Sequence, residues 1–296
     1  MPTVEATAPP AKSAAVPILW RRSDGEYPAV LEDLAYPPKQ LFGLGDASML
    51  RPPIVAIVGT RDPTAYGLRI TRAIAGSLAR AGVSIVSGMA RGIDAAAHRS
   101  ALEVGGRTVA VMGTGIDIPY PTGHRDLHQL LSERALVISE HGSGVRAHNG
   151  AFPRRNRIIA ALAPVTIVIE AGERSGALNT AEWADGLQRT VAAVPGPIDS
   201  PQSVGTNDLI RAGATMVAAA VEALALVGVD PPPRARDVEL DEKEVRVWMA
   251  LADGGLDVDS LSARSNLPAR ECLAAITSLE LLGRVECLIT GEVRRR

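Results

Sequence analysis

From residue 54 onward, short apolar runs alternate with longer segments whose apolar positions recur every three or four residues. The runs are IVAIVG (54–59), VSIVSG (83–88), RTVAVMG (107–113), ALVISE (135–140), PVTIVIEA (164–171) and TVAAVPG (190–196). Runs this short and this apolar suit strands covered on both faces. Residues 66–81 place Ile70, Ile74 and Leu78 four apart, with Gly82 just beyond, which predicts a helix ended by glycine. Further helices are predicted at about 93–104, 123–133 and 153–163, and in GERSGALNTAEWADGL. A helix near 205–212, a short strand at 214–218 and a last helix to about 227 close the domain. Such alternation predicts an α/β fold with a doubly wound, mainly parallel sheet.

The flanks read differently. Residues 1–17 are rich in Pro and Ala and are expected to be disordered. Residues 18–50 form a lead-in too short for a domain, whose Trp20, Tyr27, Leu31, Leu34, Leu41 and Phe42 are expected to pack on the main domain. That domain is assigned to 51–228. GVDPPPRARDVELDEKE carries three prolines and then an acidic run, which makes 229–241 a linker. Residues 242–296 then read helix, short helix, longer helix, β-like stretch, the order of a winged helix-turn-helix. In the third helix Pro268 suits the first turn and Gly283 the position past the end.

Composition narrows the function. The chain has 296 residues, 46% hydrophobic and 22% charged, with a net charge of −2. There is no global basic field, so any nucleic-acid site must be a local patch. Among 31 basic residues only Lys12, Lys39 and Lys243 are lysine. Arginine brings planar, bidentate phosphate recognition, although Arg and Ala codons of a GC-rich genome are the larger cause of the bias. Cys272 and Cys287 have no metal-ligand spacing and are expected to be reduced thiols. No stretch approaches ~18 apolar residues and no signal pattern is found, which predicts a cytoplasmic protein without membrane contact.

In doubly wound sheets ligands bind outside the carboxyl ends of the strands. Several loops rich in Gly, Arg or Ser fall at those ends. In GTRDPTAYG, Gly59 admits a close phosphate, Thr60 offers a hydroxyl and Arg61 a fork of donors. In SGMARGIDAAAH, Ser87 and Gly88 end a strand, Arg91 and Gly92 form the turn, and Asp94 is placed to cap the next helix. AHNGAFPRRNRII joins Phe152 to Arg154, Arg155, Asn156 and Arg157, with no acidic residue between Glu140 and Glu170. Cations beside an aromatic suit a sugar-phosphate backbone and an unstacked base, whereas a lone charge run is usually a solvated face. ERSGALNTA sets Ser175 and Gly176 at a helix start, as an anion site or as an ordinary cap. No dinucleotide or Walker fingerprint, catalytic triad or metal-binding cluster is found, so no cofactor, metal or catalytic residue is assigned.

GTRDPTAYG, SGMARGIDAAAHRSAL, GTGIDIPYP, ISEH, FPRRNRIIAAL, EAGERSGALNTA, VPGPI and GTNDLIRAGA occur in one order over about 170 residues. The set resembles the DprA/Smf family of bacterial DNA-processing proteins. The resemblance implies an extended Rossmann-like domain that binds single-stranded DNA, forms a homodimer and loads the RecA recombinase during natural transformation. It implies that Arg61 and Arg91 hold phosphates and that Phe152 and Arg154 to Arg157 line the strand's pocket. Ser87, Gly88, Ser175 and Gly176 would then donate hydrogen bonds. The chain departs from the family at Thr60, where serine is usual, and at Gln188 and Ala192. A second reading remains: a hydrolase acting on a nucleotide or ribose phosphate in the same strand-end pocket, with Asp94 or Glu170 as acid/base. Against it, EAGERSGALNT stands where phosphoribohydrolases of the lysine-decarboxylase-like group carry a PGGxGT loop.

Overall fold

The computed structural model describes residues 17–230, 240–252, 254–281, 284–288 and 291–295. The expected disorder at 1–16, most of the expected linker (231–239), Gly283 and Arg296 lie outside the described residues. The chain divides near residue 231 into two compact units.

The first unit is one sheet with helices on both faces. Its strands are β1 (Ile18–Arg21), β2 (Gln40–Gly45), β3 (Ile54–Val58), β4 (Ser84–Ser87), β5 (Thr108–Met112), β6 (Leu136–Ser139), β7 (Val165–Val168), β8 (Thr190–Ala193) and β9 (Thr215–Met216). Its helices are α1 (Ala65–Arg80), α2 (Ile93–Glu103), α3 (Arg125–Arg134), α4 (Ala151–Leu162), α5 (Gly176–Gly186), α6 (Val204–Arg211) and α7 (Ala220–Leu226). The strand order is β1-β2-β6-β5-β4-β3-β7-β8-β9. From β6 to β9 every pairing is parallel. The order reverses direction on either side of β3, which makes the carboxyl ends of β3, β4 and β7 the crevice of the sheet.

The apolar runs are buried as their composition requires. Along β3, Ile54, Ala56 and Val58 enter the core beneath α4 and α5, whereas Val55 and Ile57 enter the core beneath α1 and α2. This is the two-residue alternation of a strand covered on both faces. Ile74, Leu78, Ile93 and Ala97 close one side, and Ile158, Ile159 and Ala177 close the other. Each fully buried aliphatic chain contributes about 1.5–3 kcal/mol.

The lead-in does more than pack on the domain. β2 pairs antiparallel with β6 and β1 antiparallel with β2, so residues 18–45 extend the sheet by two strands. Trp20, Tyr27, Leu31, Leu34 and Leu41 are buried in the same core as Val109 and Ile158, and Phe42 is half-buried.

The second unit contains α8 (Glu242–Ala250), β10 (Leu256–Asp257), α9 (Val258–Ser265), α10 (Ala269–Leu281), β11 (Val285–Cys287) and β12 (Glu292–Arg295). Asp241 caps α8 reciprocally with Glu244, and Asp257 caps α9 through the Ser260 amide. Val247, Leu251, Leu261, Cys272, Ile276 and Leu279 form its core. The strands make an antiparallel sheet in the order β10-β12-β11. Three helices with such a sheet form a winged helix, in the predicted order; of its three strands only β11, in the VECLI stretch, was expected.

Candidate nucleic-acid interface

The loop after β3 is held from both sides. The Thr60 amide donates to Glu170 O at 2.7 Å, and the Ile93 amide donates to Thr60 O at 3.2 Å. The Thr60 hydroxyl accepts locally from the Asp62 amide. Thr64 caps α1 through Gly67, and the Glu170 carboxylate accepts from the Thr64 amide and hydroxyl at 2.9 and 2.5 Å. With both ends fixed, the loop leaves Arg61 exposed, its guanidinium 5.8 Å from the centre of the Phe152 ring.

The loop after β4 folds around Asp94. The expected cap of α2 is absent: Gly92 occupies the N-cap position without a side-chain bond. The buried Asp94 carboxylate, inside the first turn, accepts instead from the Gly88 and Ala90 amides at 3.1 and 3.4 Å. The loop thus curls back over the helix that follows it. Gly92 has φ +79, and a Cβ there would stand 2.4 Å from Thr60 O, so glycine is needed on both counts. His98, one turn on from Asp94, is engaged elsewhere: its Nδ1 contacts the Thr108 hydroxyl at 2.7 Å.

The basic segment lies on α4, which starts two residues before the predicted helix, and the helical turn separates its arginines. Arg155 is 5% exposed and donates to Gly88 O at 2.7 Å and to Val111 O. A Cβ at Gly88 would lie 2.4 Å from that guanidinium, which fixes glycine there. Burial lowers the Arg155 pKa to about 10, so it stays charged at neutral pH. Burial pushes the Asp94 carboxyl up, against the opposing pull of Arg155. Asn156 donates to Gly176 O and Asn179 Oδ1, tying α4 to α5. Ser175 is an ordinary cap of α5, its hydroxyl accepting from the Ala177 amide at 3.3 Å.

Two adjoining cavities open over this frame, of about 480 and 300 Å3, and share Arg61, Ala90, Phe152 and Arg155. Gly59, Thr60, Asn156, Ser175 and Gly176 line the larger; Gly88 and Arg91 line the smaller. Together they make a trough with Phe152 at the divide. Four arginines (Arg61, Arg91, Arg155, Arg174) face two carboxylates (Asp94, Glu173) along it. Among the described residues, Arg61, Arg91 and Arg174 take part in no ion pair.

Four expected site residues fall outside the lining. Ser87 is fully buried, its hydroxyl donating to Ile57 O at 2.6 Å. Gly92 packs under the neighbouring loop. Arg157 pairs with Glu140 in a bond nearly closed to solvent. Arg154 is 3.5 Å from the same carboxylate and turns to another cavity. The trough also has an aromatic that the sequence reading passed over. Tyr120 stacks on Phe152 with centroids 4.7 Å apart and lines the smaller cavity. In a chain with only 3% aromatic residues, a tyrosine in the loop after a parallel strand was the available signal.

The fold and the cleft define the class: a doubly wound α/β protein with an arginine-lined crevice, joined to a winged helix. Residues 19–228 match the family described as DNA recombination-mediator protein A, and 231–288 match the DprA winged helix domain. The chain belongs to the DprA/Smf family. It is 42% identical over 260 residues to a putative DNA processing protein DprA of Mycobacterium tuberculosis, across 84% of this chain and 67% of that protein. It is 34% identical to protein Smf of Escherichia coli, across 97% of this chain and 82% of that one. The solved DprA of Streptococcus pneumoniae superposes with TM-score 0.67 at 39% identity, across 70% of this chain and 73% of that one. DNA processing protein A of Helicobacter pylori, whose structure was described for its single-stranded DNA binding mode, superposes with TM-score 0.65 at 31% identity. That match covers 72% of this chain and 96% of that one. No helix among the described residues is long and apolar enough to cross a membrane.

Proposed function

We propose that this protein binds single-stranded DNA along the trough and loads the RecA recombinase onto the bound strand during natural transformation. In this reading it works as a homodimer in the cytoplasm and catalyses no reaction of its own. The observation that carries the DNA reading is the grouping at the divide: Arg61 over Phe152, and Phe152 against Tyr120, on a floor held by Arg155. Free guanidinium forks take phosphates in any sequence, and exposed ring faces take bases only when those are unstacked. The likeness to the Helicobacter pylori protein supports the same strand chemistry. Fluorescence anisotropy with a single strand and a duplex of equal length, over stepped salt, tests it. The single strand should bind more tightly and weaken steeply with salt; equal affinities or a flat salt response would overturn the reading. RecA loading is tested separately, by filament formation on a strand already covered by a single-strand-binding protein.

One observation favours hydrolysis of a nucleotide or ribose phosphate instead. Asp94 lines the trough, is buried, and has its carboxyl pushed up by that burial, as general acids often do. Its two backbone bonds give it a structural duty that explains the same burial. Glu170 is likewise occupied by Thr64. Nucleoside monophosphates and ATP should be recovered unchanged after long incubation, with or without magnesium. Product formation that disappears in Asp94→Asn would replace the mediator reading.

A further inference from the structure

A third cavity, of about 520 Å3, adjoins the trough. It is lined by Tyr36, Pro153, Arg154, Arg157, Asn179 and Trp183, and shares Pro153 and Asn179 with the larger trough cavity. Tyr36, within the lead-in and just before β2, is 81% exposed, far more than a tyrosine with a packing duty. Trp183, on α5, is half-buried. The side chain of Arg154 is 64% exposed. Arg157 forms part of the wall; its Nη2 is paired with Glu140, while its buried Nη1 has no hydrogen-bond partner among the described residues. Among the described residues no carboxylate lines the cavity, though Glu140 pairs with Arg157 and lies 3.5 Å from Arg154. Two aromatic rings, the largely exposed Arg154 guanidinium and the unsatisfied Arg157 Nη1 match the two parts of a nucleotide, a flat base and an anionic phosphate, although both arginines also share Glu140.

We infer that this cavity is a second base-stacking subsite, taken by a further nucleotide of the single strand that lies in the trough. The inference rests on the single-stranded DNA reading of the trough. Continuity through Pro153 and Asn179 identifies the occupant: a strand leaving the larger cavity over the first turn of α4 meets Arg154 next, with Tyr36 and Trp183 in the same cavity. The lead-in then has a binding role as well as a structural one.

The probes are fluorescein-labelled oligothymidylates from about 4 to about 16 nucleotides, the range of single-strand site sizes. Tyr36 and Arg154 are exposed, so the Tyr36→Ser/Arg154→Ala double variant should fold normally. It should bind the shortest strand as wild type does and the longest about five-fold more weakly or worse. Trp183→Phe, which keeps a ring, should bind long strands better than Trp183→Ala. Arg61→Ala should be weak at every length. If the double variant matches wild type at all lengths while Arg61→Ala is weak, the subsite is refuted and the trough reading stands. If the double variant loses affinity equally for short and long strands, there is no separate subsite. If Arg61→Ala also binds normally, the trough reading itself fails.

Discussion

The guanidinium of Arg61 lies 5.8 Å from the centre of the Phe152 ring, and that of Arg295 lies 4.2 Å from the centre of Trp248. The two pairs share a chemistry and differ in what else the arginine does. Arg295 also donates from Nε and Nη2 to Trp248 O, so its fork is consumed within the winged helix. Its neighbour Arg294 pairs with Glu286 at 2.5 Å, and Lys243 with Glu271 at 3.1 Å. In the first unit the division of labour is finer. Arg155 and Arg157 are spent on carbonyls and on Glu140, and that expenditure holds the frame on which Arg61 and Arg91 stay unpaired. Counting arginines therefore says little about where an anion binds; what matters is which of them have donors left over.

The largest expected effect tests the frame. Arg155→Ala leaves the Gly88 and Val111 carbonyls without their donor and removes the buried cation whose charge opposes the burial of Asp94, and should cost about 3–5 kcal/mol in urea denaturation. Arg154→Ala, one residue away but exposed, should change stability by less than about 0.5 kcal/mol. Equal costs for the two would erase the distinction between structural and available arginines.

Next is the available set. Arg61→Ala should lower single-strand affinity by about 1.5–3 kcal/mol. The plot of log affinity against log salt should become shallower by about 0.7. Thermal stability should be unchanged. A collapse in melting temperature with normal binding by the folded fraction would place Arg61 with Arg155.

Acid should separate the two units. All five histidines lie in the first. Burial lowers the His98 pKa from 6.5 to about 3 and lowers those of His128 and His141 as well. The folded state then binds fewer protons than the unfolded chain below about pH 6.5. Stability is full above that pH and falls as pH drops toward about 3, by about 2 kcal/mol at pH 5 for His98 alone. Asp94, with its pKa raised, acts in the opposite sense. His98→Gln should flatten the acid limb of the first unit's thermal transition, by calorimetry between pH 7 and 5, and leave that of the winged helix unmoved. An unchanged slope would show that His98 is protonated within the fold.

The smallest effect is expected from removing residues 237–296. With Arg294 and Arg295 engaged, and Arg270 and Arg284 of the third-helix segment offset in charge by Glu271 and Glu280, the winged helix should contribute less than about two-fold to single-strand affinity, roughly 0.4 kcal/mol. Gel shifts of full-length and truncated protein on one oligonucleotide decide this. A large drop would move the comparison's balance to Arg294 and its neighbours.

The sheet was legible because its central strands are buried on both faces, which writes them as unbroken apolar runs. The strands that escaped notice lack that signature. β1 and β2 lie at or near an edge, β10 has two residues, and β12 is EVRR. The meeting of the glycine loops followed from parallel topology alone. The duty of each side chain did not, since Arg154, Arg155 and Arg157 differ only in position around one helical turn, and that rotation matters only once α4 has neighbours. Asp94 was misread for a related reason: its partners are amides that precede it, brought near only when the loop curls. Tyr120 was hidden within a Pro-Tyr-Pro turn whose ring direction depends on Phe152.

The nine-stranded sheet ends in short strands, the four residues of β1 on one side and the two of β9 on the other. Few unpaired backbone groups are left for an incoming chain to extend the ladder. Sheets with long bare margins invite edge-to-edge aggregation when molecules crowd together. A protein gathered in many copies along one DNA strand would meet that hazard at high local concentration, and short edge strands reduce it without relying on surface charge.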